Sequence, residues 1–298
     1  MAKDTYKAGF VAIVGRPNVG KSTLLNAFLD FNLSIITPKP QTTRHRILGI
    51  HNRNHFQMIF WDTPGLLDPE YKLHEVMMQS AHRAVADSDI ILLLIDATRS
   101  FTKKNADVLE HLATLKKPLI VAVNKIDAID KKEALPIIDS LQKMISFSES
   151  VPISALKGDN LDTLERVLVK YLPVSPPLYP PDQLTAHPER FFVGEIIREK
   201  VFRELRKEIP YSTAVVIDEF RERPGRKDYI KARIVVERDS QKRIVIGKRG
   251  GILKTIGKLA REDIESFLGR AVYLDLWVVV RENWRKKETF LKEYGYDT

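Results

Sequence analysis

The stretch GRPNVGKS, residues 15–22, fits the pattern G-x-x-x-x-G-K-[ST]. It follows an apolar run, GFVAIVG, and opens a helical pattern, KSTLLNAFLD. A glycine-rich turn between a strand and a helix aims backbone N–H groups and a helix N-terminus at one point, and phosphate binds there. Gly15, Asn18, Val19 and Gly20 would form this cradle, and Lys21 would reach the β- and γ-phosphates. Ser22 would place its hydroxyl on Mg²⁺, with Thr23 beside it in the same turn. Taken alone, the loop means a nucleoside triphosphate.

Further stretches narrow the base and the chemistry. WDTPG ends a strand pattern at Asp62, Thr63, Pro64 and Gly65. Asp62 can hold Mg²⁺ through water, and the Gly65 N–H can face the γ-phosphate and register its loss. NKID, with Asn124, Lys125 and Asp127, ends another apolar run. The Asp127 carboxylate can accept from N1–H and the exocyclic amine of guanine, a pattern adenine lacks, and the apolar stem of Lys125 can lie over the base. SAL, with Ser154, Ala155 and Leu156, follows the next strand and can offer a backbone N–H to the guanine oxygen. Each match is weak; four in this order on strand ends specify GTP and GDP as ligands.

Between the phosphate loop and the next strands lies PKPQTTRHR. A threonine here, Thr42 or Thr43 with the weight on Thr43, can give Mg²⁺ its hydroxyl and the γ-phosphate its N–H. The catalytic set is then Lys21, Thr43 and Gly65. A glutamine that orients the attacking water is missing: Leu66 and Leu67 follow Gly65, and neither side chain hydrogen-bonds water. Intrinsic hydrolysis should be slow unless another group helps. Asn18 is the candidate, as a ligand for K⁺ beside the phosphates; the competing role for it is shaping the loop.

A second glycine-rich stretch, VIGKRGGILKTIG at residues 245–257, lacks the Lys-Ser/Thr pair. It reads as a strand, a G-x-x-G turn and a helix, the arrangement with which a KH domain clamps a single-stranded backbone of about four nucleotides. Gly247 and Gly250 allow close approach, Lys248, Arg249 and Lys254 add charge, and Ile244, Ile246 and Ile252 can floor the bases. Trp284 and the basic Arg285–Lys287 could extend this surface, though the core is the favoured place for Trp284.

The 298 residues suggest about two domains. There is no cysteine, which excludes disulfides and thiolate metal sites and fits a reducing compartment. The opening MAKDTYKAG lacks the apolar core of a signal peptide, and the longest apolar runs are strand-length. The net charge is +9, and residues 241–261 hold seven basic side chains and no acidic one. Such an excess points to a polyanion: RNA, or an anionic lipid surface. The seven histidines show no metal-ligand spacing, and nothing forms a constellation for covalent work on RNA.

Residues 1–172 alternate continuous apolar strands with helices, which means an α/β domain with a mostly parallel sheet covered on both faces. HRILGIH and HFQMIFWD are close enough to pair as a hairpin. Residues 173–188 are proline-rich and read as a semi-extended linker. Residues 189–298 give helix, two strands, glycine loop with helix, strand and helix, a smaller α+β domain in the type II KH order.

GRPNVGKSTLLN, QTTRHRI, DTPG, NKID, SAL and VIGKRGG together resemble the Era family of bacterial GTPases, over essentially the full length. The resemblance implies a P-loop GTPase domain with a KH domain, and a role in maturing the small (30S) ribosomal subunit. It implies RNA binding near the 3′ end of 16S rRNA. The expected setting is the cytoplasm, as a monomer. The competing reading is a regulatory GTPase held peripherally at the inner face of the cell membrane by its basic C-terminal domain.

Overall fold

The structure, a computed structural model, describes residues 6–99, 112 and 114–296. In the N-terminal part the strands are β1 (Lys7–Val14), β2 (Ile47–Asn52), β3 (Phe56–Asp62), β4 (Ile90–Asp96), β5 (Leu119–Asn124) and β6 (Glu149–Ile153). They form one sheet in the order β2-β3-β1-β4-β5-β6. Only β2 runs antiparallel, in a hairpin with β3; the other pairings are parallel. β4 (IILLLID) and β5 (LIVAVN) are buried along their whole length, as strands covered on both faces must be. The helices α1 (Lys21–Leu29), α2 (Lys72–Ala86), α3 (Ala134–Gln142) and α4 (Leu161–Tyr171) belong to this part of the chain. The helical stretch expected between β4 and β5 falls largely on residues 100–111 and 113, outside the described ones.

Register decides where the chemistry lies. Ile13 stands beside Asp62, Asp96 beside Asn124, and Asn124 beside Ile153. The loops leaving these strands therefore open on one edge, the carboxyl edge, where ligands of such sheets bind.

By its contacts the chain divides into two compact units. The first runs to Ser34 and takes in Thr43–Asp68 and Met77–Ala186; the second takes Ile35–Thr42, Pro69–Val76 and His187 onward. The proline-rich segment read as a linker thus lies with the first unit as far as Ala186. It is hydrogen-bonded to two strands of the sheet: Ala8 N of β1 donates to Pro173 O at 3.2 Å and Ile50 N of β2 to Leu184 O at 2.8 Å. The Gln57 side chain, buried, accepts the Leu178 and Tyr179 N–H groups at 2.8 and 2.9 Å. Proline denies this segment a ladder of its own, so buried side chains and edge groups of the sheet satisfy its backbone.

The second unit is built on α5 (Glu189–Glu204), β7 (Ala214–Arg221), β8 (Asp228–Val236), α6 (Asp239–Ile246), α7 (Gly251–Leu268), β9 (Val272–Val280) and α8 (Glu288–Glu293). The sheet order is β7-β8-β9, with β7 antiparallel and β9 parallel to β8. Val193, Ile197 and Val201 of α5 and Ile256, Ala260 and Ile264 of α7 cover one face, against Ile230, Ala232 and Ile234.

The strand expected before GKRG is a helix, α6. Gln241 Oε1 takes the Glu237 and Arg238 N–H groups at 2.9 and 3.2 Å, capping the helix start. Val245 is buried while Ile244 is 48% exposed, so the β-branched run RIVI offers the core one side only. Capping and one-sided burial outweigh the strand preference of these residues. Trp284 is fully buried, its Nε1 donating to Ser212 O at 2.9 Å. Among the described residues no helix is long and apolar enough to cross a membrane.

The segment 173–186 should depend on Gln57. Gln57→Leu leaves the Leu178 and Tyr179 N–H groups without their acceptor and should lower unfolding stability by about 1–3 kcal/mol. Urea unfolding measures this, and an unchanged midpoint would mean that the segment is not anchored there.

Candidate functional site

The phosphate loop is set by backbone shape. Gly15 and Gly20 have φ of +150° and +104°, and Asn18 sits at +64°. A Cβ on Gly15 would meet Leu94 O at 2.5 Å, so only glycine fits against β4. Gly65 is pressed on the loop in the same way, its absent Cβ 2.7 Å from Pro17 N. The Leu66 N–H closes the contact on Gly15 O at 3.0 Å.

Lys21 is buried, with Nζ donating to Gly15 O and Arg16 O at 3.1 and 3.0 Å. Burial pulls its pKa down to about 8, with the Asp62 charge opposing. Burial likewise raises the Asp62 carboxyl, against Lys21 and the Ser22 hydroxyl. Each charge is thus costly here, and a bound phosphate and cation would offset that cost.

Three oxygen groups converge beside Lys21. Ser22 Oγ donates to Asp62 Oδ2 at 2.7 Å and lies 3.0 Å from Thr43 Oγ1. Asp62 Oδ1 is buried with no hydrogen bond among the described residues. Hard oxygen donors with an unused carboxylate oxygen fit Mg²⁺. Thr42 turns elsewhere, its hydroxyl 2.7 Å from Thr37 Oγ1 and donating to Lys39 O at 2.7 Å. Of the two threonines, Thr43 therefore lies with Ser22 and Asp62, and Thr42 does not. The Thr63 hydroxyl is spent on Ile13 O at 2.7 Å, a structural role, and Thr23 and Pro64 flank the cluster.

The base-reading side is tied to the phosphate side by Asn124. Its Nδ2 donates to Val19 O at 2.7 Å, and its Oδ1 accepts the Ala155 N–H at 2.9 Å. Lys125, at φ +69°, donates through Nζ to Asn18 O and to Asp96 Oδ2, both at 2.7 Å. Asp127 Oδ1 accepts from Ser154 Oγ at 2.6 Å, which fixes the carboxylate beside the SAL loop. Of the SAL backbone, the Ala155 N–H is given to Asn124 in this arrangement, and Leu156 beyond it is 74% exposed.

Asp96 was missed in the sequence. Burial favours its neutral form, but hydrogen bonds from Lys125 and Thr98 win and hold its pKa below the usual carboxylate range. The signal available was a carboxylate closing the run IILLLID, one strand over from NKID.

GKRG lies between α6 and α7. Gly247 has φ +73°, and a Cβ there would meet Ile252 Cγ1 at 2.7 Å. Arg249 and Gly250 are also left-handed, at +52° and +77°. Lys248, Arg249 and Lys254 are exposed, Ile246 and Ile252 half-buried, and the first turn of α7 holds no acidic residue. Arg285, expected as a possible extension of this surface, is instead half-buried and bound to Glu237 at 2.5 Å.

Fold and site together define a P-loop GTPase domain joined to a KH domain. A family model described as "50S ribosome-binding GTPase" matches residues 10–125, and one described as "KH domain" matches residues 208–285. Two solved structures match almost end to end. One is a single-residue variant of Aquifex aeolicus Era bound to GDP and AlF4⁻; the other is Era in complex with MgGDPNP and nucleotides 1506–1542 of 16S ribosomal RNA. Each is 45% identical, covers 98% of this chain and 100% of its own, and has a TM-score of 0.95. The chain belongs to the Era family of GTPases.

Asp96→Asn removes the charged acceptor that holds the Lys125 ammonium. Affinity for GDP should fall about tenfold, the worth of one charge-assisted hydrogen bond. Titration with a fluorescent GDP reads it, and unchanged affinity would remove Asp96 from the site.

Proposed function

We propose that this protein is a GTP-hydrolysing switch that binds single-stranded RNA at the 3′ region of 16S rRNA and acts in assembling the 30S subunit. The observation that carries the reading is the convergence of Lys21, Ser22, Thr43 and Asp62 on one sheet edge, tied through Asn124 to Asp127. The Era relative bound to MgGDPNP and 16S nucleotides supports both ligands.

Residues 1–172 serve the nucleotide and 189–298 the RNA. The loop N–H groups from Gly15 to Thr23 surround the α- and β-phosphates. The Lys21 ammonium leaves the loop carbonyls for the β- and γ-oxygens. Mg²⁺, when bound to Ser22 and Thr43 and through water to Asp62, neutralises charge developing on the phosphates. The Thr43 and Gly65 N–H groups face the γ-phosphate, so its loss releases both segments. Asp127 accepts from guanine, Lys125 covers the base, and the SAL loop closes the pocket. With Leu66 where a water-orienting side chain would stand, the intrinsic rate is slow. The RNA backbone lies on the Gly247–Gly250 turn, its phosphates met by Lys248, Arg249, Lys254 and the N-terminus of α7. The protein works as a cytoplasmic monomer.

Two experiments test this. Cross-linking to RNA in cells should recover one dominant site in small-subunit rRNA that vanishes in the pair Lys248→Asp/Arg249→Asp. Diffuse recovery, or a mutant equal to the parent, would overturn the RNA reading and favour a basic surface held on anionic membrane. For Asn18, a left-handed loop position already accounts for the residue. A K⁺ role requires hydrolysis faster in potassium than in sodium, with the difference lost in Asn18→Ala; equal rates in the parent would exclude it.

A further inference from the structure

The three-stranded sheet has a second face. Along β9, Leu274, Leu276 and Val278 turn into the core with α5 and α7, whereas Tyr273 and Trp277 lie on the other face, where Glu293 of α8 reaches Arg233 at 2.9 Å, and are each 58% exposed. Register sets Tyr273 beside Tyr229 and Trp277 beside Arg233. The two tyrosine rings stack, with centroids 5.9 Å apart and planes inclined by 12°. The Arg223 guanidinium lies 4.9 Å from the centre of the Tyr229 ring and continues the stack into the β7–β8 turn. That turn reads RERPGRKD, with four basic residues and two acidic ones, and Arg223, Arg226, Lys227 and the neighbouring Lys231 are exposed. The carboxylates here already have partners. Asp218 meets Arg233 at 2.9 Å, Glu219 pairs with Arg221, Asp275 accepts from the Tyr229 hydroxyl at 3.1 Å, and Asp228 is held by Arg270 at 2.6 Å.

The pattern discriminates between partners. The aromatic anchors of a protein interface cluster at its centre in desolvated pockets, with charged residues kept to the rim. Here a charged row, Glu219–Lys231–Asp275, separates the aromatic rows. Four residues of strand put Tyr273 and Trp277 about 13 Å apart. That spacing presents separate planar faces on a flat sheet, with cations at its edge. Open aromatics on a sheet stack unpaired bases, while the cations meet phosphates.

We propose that this open face, centred on Tyr273 and Trp277, is a second single-stranded RNA surface. It is distinct from the GKRG turn, which belongs to the helical layer on the opposite side of the sheet. The inference rests on the RNA-binding function proposed above and extends the bound RNA beyond the nucleotides held by that turn.

The test uses the full chain with a non-hydrolysable GTP analogue and two probes. One is RNA 1506–1542 of 16S; the other is an oligonucleotide of about four nucleotides from the same region, the length a KH turn clamps. Tyr273→Ala/Trp277→Ala should weaken the long RNA about tenfold or more, the worth of stacked bases, and leave the short one unchanged. Trp277→Phe should restore most of the affinity, and the long RNA should quench Trp277 emission in the parent. Equal affinity of parent and double variant for the long RNA would overturn the proposal. So would equal RNA affinity combined with weaker binding to purified 30S particles, which would assign the face to a protein. Loss in the double variant but none in Lys248→Asp/Arg249→Asp would uphold the sheet face while removing the GKRG turn from the RNA reading.

Discussion

The Asn124 side chain holds the nucleotide site together. One amide bonds the phosphate loop at Val19 O and the SAL loop at the Ala155 N–H. Both bonds are buried, and losing either leaves a polar group without water, at a cost of about 1–3 kcal/mol. Three loops far apart in sequence thus keep one relative position. The parallel register makes this possible, since Asn124 ends β5 between Asp96 and Ile153. Lys125 adds a second tie from the same loop, through Asn18 O and Asp96.

The two glycine turns share a principle and differ in what they hold. Both use left-handed backbone where a Cβ would collide, Gly15 against Leu94 and Gly247 against Ile252. Around the first stand a buried lysine and a buried carboxylate. Around the second, the cations stand in solvent with no acidic side chain in the first turn of α7. The first suits a compact, strongly charged ligand that must be enclosed. The second suits a strand that passes by.

What the sequence revealed followed the range of the interaction. GRPNVGKS, DTPG and NKID were legible because each packs its chemistry into a few consecutive residues with strict spacing. Trp284 was legible as core from its apolar bulk. That the Thr43 hydroxyl and not the Thr42 one meets Ser22 is visible only in three dimensions. Asp96 was hidden for the same reason, its partner Lys125 lying a strand away. The helix α6 was misread because RIVI has strand-like residues, while its cap comes from Gln241 reaching back to Glu237 and Arg238. The proline-rich segment was read as a spacer because nothing local shows that Gln57, far upstream, binds it.

The most direct measurement is the nucleotide preference of Asp127→Asn. Asp127 is set beside the SAL loop by Ser154 at 2.6 Å, where its carboxylate can read two guanine donors. An amide there offers one donor and one acceptor, which matches xanthine. Equilibrium binding of GDP and xanthosine diphosphate should show the parent preferring GDP and the variant preferring the xanthine nucleotide. A variant that kept the parent's guanine preference would contradict the assignment of this sheet edge as a guanine nucleotide site.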